Sequence, residues 1–139
     1  MNSVLVSIKS VIAIIGGYIA MFLGGFDGVL IALCIFALVD YITGVIAAIV
    51  EKKLCSRIGF KGIARKILMF LMVGITAVLN TNVLGGEMPI REIVIVFYIA
   101  NEGISIIENS ARLGLPIPKK LIDVLEQLKS QGDVKWKEY

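Results

Sequence analysis

Histidine is absent from this 139-residue chain, which removes the side chain that most often moves protons near neutral pH and the commonest metal ligand. Cysteine is nearly absent too. Cys34 lies in an apolar run and Cys55 in a basic loop, an isolation that points to two unpaired thiols, not to a disulfide or a metal site. The chain contains no P-loop, glycine-rich dinucleotide fingerprint or nucleophile elbow. Glu102 and Glu108 are six residues apart and point in different directions on a helix, so they do not suggest a carboxylate acid–base pair. Charge is scarce as well, at 18% of residues with a net +3, a weak basis for a nucleic-acid surface. The expectations are therefore no enzyme, no cofactor, no metal and no nucleic-acid partner.

What the chain has instead is apolar length. Hydrophobic residues make up 58% of it and the mean hydropathy is +0.89, more apolar surface than a soluble domain of this size can hide. Apolar runs at about Val11–Phe26, Gly28–Val50, Ile67–Leu84 and Ile93–Ile107 predict four transmembrane helices, since a bilayer core needs roughly 20 residues of helix. The first run is short, and it begins nearer Val4 if Lys9 snorkels to the headgroups. A cleaved signal peptide is the alternative there, but no small-residue processing site leads into a polar domain. The fold class expected is all-α: a multi-span integral membrane helical bundle over residues 1–115, followed by a cytoplasmic tail over residues 116–139.

Orientation follows from the cations. Lys52, Lys53, Arg57, Lys61, Arg65 and Lys66 crowd the middle loop, and Arg112, Lys119, Lys120, Lys129, Lys135 and Lys137 fill the tail. Arg91 is the only basic residue in either of the other two loops. The positive-inside rule then puts both termini and the middle loop in the cytoplasm. Within that loop Arg57, Lys61 and Arg65 recur every four residues, which suits either a helix lying on anionic headgroups or a solvated linker that only sets topology. The tail breaks at Gly114, Pro116 and Pro118. It then reads as a short amphipathic helix with Leu121, Leu125 and Leu128 on one side, either docked on the membrane domain or a sister subunit, or left in solvent.

Several intramembrane residues require partners. Asp40 sits within the second run, where insertion of an aspartate costs about 2.5–3.5 kcal/mol. Gly44 and Ala48 follow it at intervals of four, so its face admits a neighbouring helix, with Asn80 and Thr43 as candidate donors. Gly16, Ala20, Gly24 and Gly28 form a second small-residue row suited to close helix packing. In the fourth run Tyr98, Asn101, Ser105, Glu108 and Arg112 fall on one seam, flanked by Glu102 and Asn109. Glu108 and Arg112 are spaced to pair. The seam is either a hydrogen-bonded helix contact inside a closed bundle or a wall that meets water when several copies assemble.

Three segments together, "DYITG" from Asp40, "LCSRIGFKGIARK" from Leu54 and "YIANEGISIIENSARLGLPIP" from Tyr98, with "KKLIDVLEQL" after them, resemble the multi-span phage-lysis and toxin-secretion holins of Gram-positive bacteria and their phages. The resemblance implies a homo-oligomer in the bacterial cytoplasmic membrane that opens large lesions and lets a cell-wall hydrolase or toxin escape, without necessary direct contact between the two. It places Asp40, Asn101, Glu102, Ser105, Glu108 and Asn109 at the family's polar motif positions. Two other readings compete with this. A small proton-coupled four-span exporter would use Asp40 as its carrier carboxylate. A structural or regulatory membrane subunit would use the polar residues only to fix helix register.

Overall fold

The computed structural model describes residues 1–132, so Lys135, Lys137 and the rest of the last seven residues lie outside it. The described chain is helical, with α1 at Asn2–Phe22, α2 at Gly28–Val50, α3 at Ser56–Asn82, α4 at Ile90–Arg112 and α5 at Lys119–Gly132. Among the described residues there is no strand. Three of these helices, α1, α2 and α3, are long and apolar enough to cross a membrane. α4 is as long as α2 but carries Arg91, Glu92, Glu102, Glu108 and Arg112.

Local chemistry sets the boundaries. α1 ends in a Schellman turn: the Gly25 amide donates to the Ala20 carbonyl and the Gly24 amide to the Met21 carbonyl, with Gly24 at φ +82°. Asp27 then caps α2, its carboxylate accepting from the Leu30 amide at 3.0 Å. α4 stops in the same way as α1, with Gly114 at φ +82° and the Leu115 amide bonded to the Ser110 carbonyl. Pro116 and Pro118 follow, and the chain reverses into α5.

The core is small and lies among α2, α3 and α4. Leu30, Leu33 and Ala37 of α2 meet Met69 and Val73 of α3 and Ile95 of α4, closed at one end by Leu23. α1 has no buried residue and touches the bundle only near its end, where the Phe22 ring lies against Gly74 in the space a side chain would need. α5 is docked: Leu125 is buried, with its methyl groups over Gly103 of α4.

Of the glycines in the small-residue row expected along α1, Gly24 is the one packed closely, against Arg91 and Ala77. Gly16 and Gly28 have open space around them, and Gly24 lies beyond the end of α1. Turn geometry explains Gly24, because the left-handed conformation suits a residue without Cβ. The row on α2 is placed differently: Gly44 faces Asn109 and Ala48 is buried. Arg57, Lys61 and Arg65 stand exposed on the opening turns of α3, which runs without a break into the apolar segment.

Candidate functional site

The charged residues of α2, α3 and α4 form one connected ladder. Lys66 of α3 donates to the Asp40 carboxylate at 2.7 Å and also to the Glu102 carboxylate of α4. The Asn109 amide nitrogen donates to the other Asp40 oxygen at 3.3 Å and to the Thr43 hydroxyl at 3.2 Å. Arg112 donates to the Asn109 side-chain oxygen at 3.4 Å and grips Glu51, just past α2, with two bonds of 2.9 and 2.6 Å. The ladder runs from a sheltered end to a wet one, since the Glu102 side chain is 9% exposed and that of Arg112 47%. Asp40 and Glu102 share Lys66, and Arg112 holds Glu51, so each carboxylate of the ladder has a cationic partner.

Two cavities flank the ladder. The smaller, about 260 Å³, is lined by Asp40, Gly44, Lys66, Ser105, Asn109 and Arg112 among others. The larger, about 430 Å³, is lined by Tyr98, Asn101, Glu102, Ser105 and Glu108 from α4, together with Asp40, Arg65 and Lys129. The seam from Tyr98 to Glu108 thus faces one polar cavity, and Ser105 borders both. Among the described residues no group of three or more histidine, cysteine or acidic side chains is placed to hold a metal ion.

A second buried cation ties the opposite end of the bundle together. Arg91 of α4 is 4% exposed. It donates to the Leu23 carbonyl at 2.6 Å, to the Gly25 carbonyl at 3.0 Å, and to both Asp27 oxygens at 2.7 and 3.3 Å. The guanidinium therefore fastens the α1–α2 turn to the start of α4. Its hydrogen bonds hold the Asp27 carboxyl below the usual carboxylate range, aided by the Leu30 amide. At the other end Arg112 does the same to Glu51.

Several expectations are corrected by these contacts. Lys66 is not a headgroup-facing cation, because its side chain is 15% exposed and turned between two carboxylates. Thr43 gives its proton to the Asp40 backbone carbonyl, not to the carboxylate. Asn80 does not reach Asp40 either; its side-chain oxygen is buried without a hydrogen bond. Arg112 pairs with Glu51 and not with Glu108, which points to the larger cavity. Lys53 also approaches Glu51, at 3.5 Å.

Lys66, Arg91, Asp27 and Glu51 are the residues that sequence reasoning did not place in the site. Signals for two of them were present. Lys66 is out of phase with Arg57, Lys61 and Arg65 but in helical phase with Met69 and Val73, which are buried. Arg91 is likewise four residues before the buried Ile95.

The chain matches the bacteriophage holin family over residues 17–130. It is 41% identical over 99 residues to a protein named probable holin from Bacillus phage phi105, covering 70% of this chain and 72% of the relative. Two uncharacterised proteins of Clostridium perfringens match nearly end to end. One is 36% identical over 97% of this chain and 100% of its own length, the other 40% over 94% and 99%. No solved structure matches.

Proposed function

Because the chain belongs to the bacteriophage holin family, we propose that it oligomerises in the bacterial cytoplasmic membrane and opens pores large enough for a cell-wall hydrolase, or a toxin, to leave the cell. The observation that carries this reading is the Asp40–Lys66–Glu102 cluster, which draws the polar groups of α4 inward and leaves apolar faces on α1, α2 and α3. In the closed form α4 is a fourth span, with its charges paired to α2 and α3 so that acyl chains do not meet them. The N-terminus, the basic opening of α3 and the α4–α5 turn face the cytoplasm, where Arg57, Lys61 and Arg65 meet anionic headgroups.

On assembly the apolar faces stay in lipid and the α4 side turns toward water. Hydration lowers the cost of separating the ladder's ion pairs, so the same residues that are sheltered in the closed form suit a wet wall. The membrane potential biases the step by about 2.3 kcal/mol for each unit charge moved across 100 mV. Inducible expression in bacteria, with and without a cytosolic cell-wall hydrolase, tests the reading through membrane potential and culture turbidity followed together. Depolarisation with hydrolase-dependent lysis is expected. A second reading, a proton-coupled exporter, draws on the same lysine held between two carboxylates. Sustained growth with export of a small cation would replace the first reading with that one.

A further inference from the structure

α5 lies back along α4. Leu125 packs over Gly103, and Leu128 and Gln131 reach Pro89, Glu92 and Ile93 at the start of α4, so the two helices form an antiparallel hairpin. Gly103 is near the middle of α4. The exposed side chains of α5 include Lys120, Asp123, Glu126, Gln127 and Ser130, with Leu121 and Val124 among them. A docked α5 thus carries carboxylates on its outer face at the level of the midpoint of α4. If α4 spans, those groups stand at membrane depth, where acyl chains offer neither hydrogen bonds nor counter-charge. The outer faces of α2 and α3 are of the opposite kind, presenting Ile35, Leu38, Ile42, Leu68, Leu71 and Ile75.

We propose, resting on the pore reading above, that the docked α5 is the lumen wall of the assembled pore. The α4–α5 hairpin stays closed, α5 shows its polar face to the water, and the charged ladder sits directly behind it. Lys129 supports the arrangement, because it lines the same larger cavity as Glu102 and Glu108 and adds a cation to their surroundings. The surface that lines the lumen is then α5 itself, and water reaches the α4 seam behind it through the larger cavity that Lys129 borders.

The test uses the full chain with Cys34→Ser, Cys55→Ser and Trp136→Phe, reconstituted into vesicles loaded with a protein-sized fluorescent dextran. Gly103→Cys with Leu125→Cys, oxidised, tethers α5 to α4. Val96→Cys with Leu128→Cys is a second pair that leaves the glycine intact. Glu126→Trp in the tethered chain reports its surroundings through quenching by aqueous iodide or by nitroxide-labelled acyl chains. Undiminished dextran release from the tethered chain, with iodide and not nitroxide quenching, is the expected result. Release lost on tethering and regained on reduction would overturn the proposal by showing that α5 must leave. Nitroxide quenching in a releasing, tethered chain would overturn it by putting α5 in lipid. Absence of release from the chain without the tethering cysteines would remove the pore reading itself, a failure distinguishable from the other two.

Discussion

α1 and α4 are similar in length and opposite in surroundings. α1 exposes Val4, Ile8, Ile12, Ile15 and Ile19 and buries nothing. α4 buries Arg91, Glu102 and Asn109 together with Ile95, Ala100 and Gly103, and is flanked by α2, α3 and α5. The more apolar helix is on the outside and the more polar one inside, the reverse of a protein folded in water. The difference suits a membrane protein, with α1 apolar enough for a hydrocarbon solvent and α4 held by hydrogen bonds and ion pairs where a soluble helix would rely on apolar burial.

The contrast breaks most severely at Lys66. Lys66→Met leaves Asp40 and Glu102 facing each other with no cation between them, and removal of one partner from a sheltered pair costs about 3–5 kcal/mol. Thermal unfolding in detergent should show that loss, and adding Asp40→Asn and Glu102→Gln should recover much of it. Next is Arg91→Met, which strands two backbone carbonyls and Asp27. Because the Asp27 side chain is 45% exposed and water can take over its bonds, the loss comes mainly from the stranded Leu23 carbonyl, about 1–3 kcal/mol, and the melting transition should fall by a clear but smaller margin.

The Arg91–Asp27 pair also predicts a pH dependence. Asp27 has a lowered carboxyl pKa in the fold, so its contribution is complete above the ordinary value of about 3.9 and is lost as pH falls through the folded value. Acid melting curves of the native chain should therefore drop faster than those of Asp27→Asn over that interval. Parallel curves would show the pair to be of no consequence.

The mildest probe compares one substitution at two sites. A Cβ at Gly103 meets Leu125 at 3.0 Å and Phe36 at 3.2 Å, whereas one at Gly16 meets nothing within 4 Å. Gly103→Ala should cost about 1 kcal/mol through overpacking and make α5 more open to proteolysis. Gly16→Ala should stabilise by about 0.5–1 kcal/mol through helix propensity alone.

The helices were legible because apolar length is a local property of the chain. The face of α4 was legible too, since Tyr98, Asn101, Ser105 and Glu108 keep helical phase and line one cavity. Partners were harder to read. Asp40 could be seen to need a donor, but Lys66, twenty-six residues away, sits inside a run whose other cations are exposed, and counting charges for topology hides the one that turns inward. Arg91 was obscured in the same way, because a lone loop arginine carries no local sign of the three acceptors waiting on the α1–α2 turn. Gly24 misled by spacing, as periodicity cannot tell a helix interior from a residue just beyond its end.

Single cysteines at Tyr98, Asn101, Ser105 and Glu108, with Ile35 and Leu38 as controls on the apolar face of α2, probe the central claim most directly when challenged with an aqueous thiol reagent before and after lysis begins. The four α4 positions should gain reactivity at onset while the two controls stay inert. Uniform protection of the α4 positions through lysis, or equal labelling of the controls, would contradict an interior that is sheltered when closed and wetted when the pore forms.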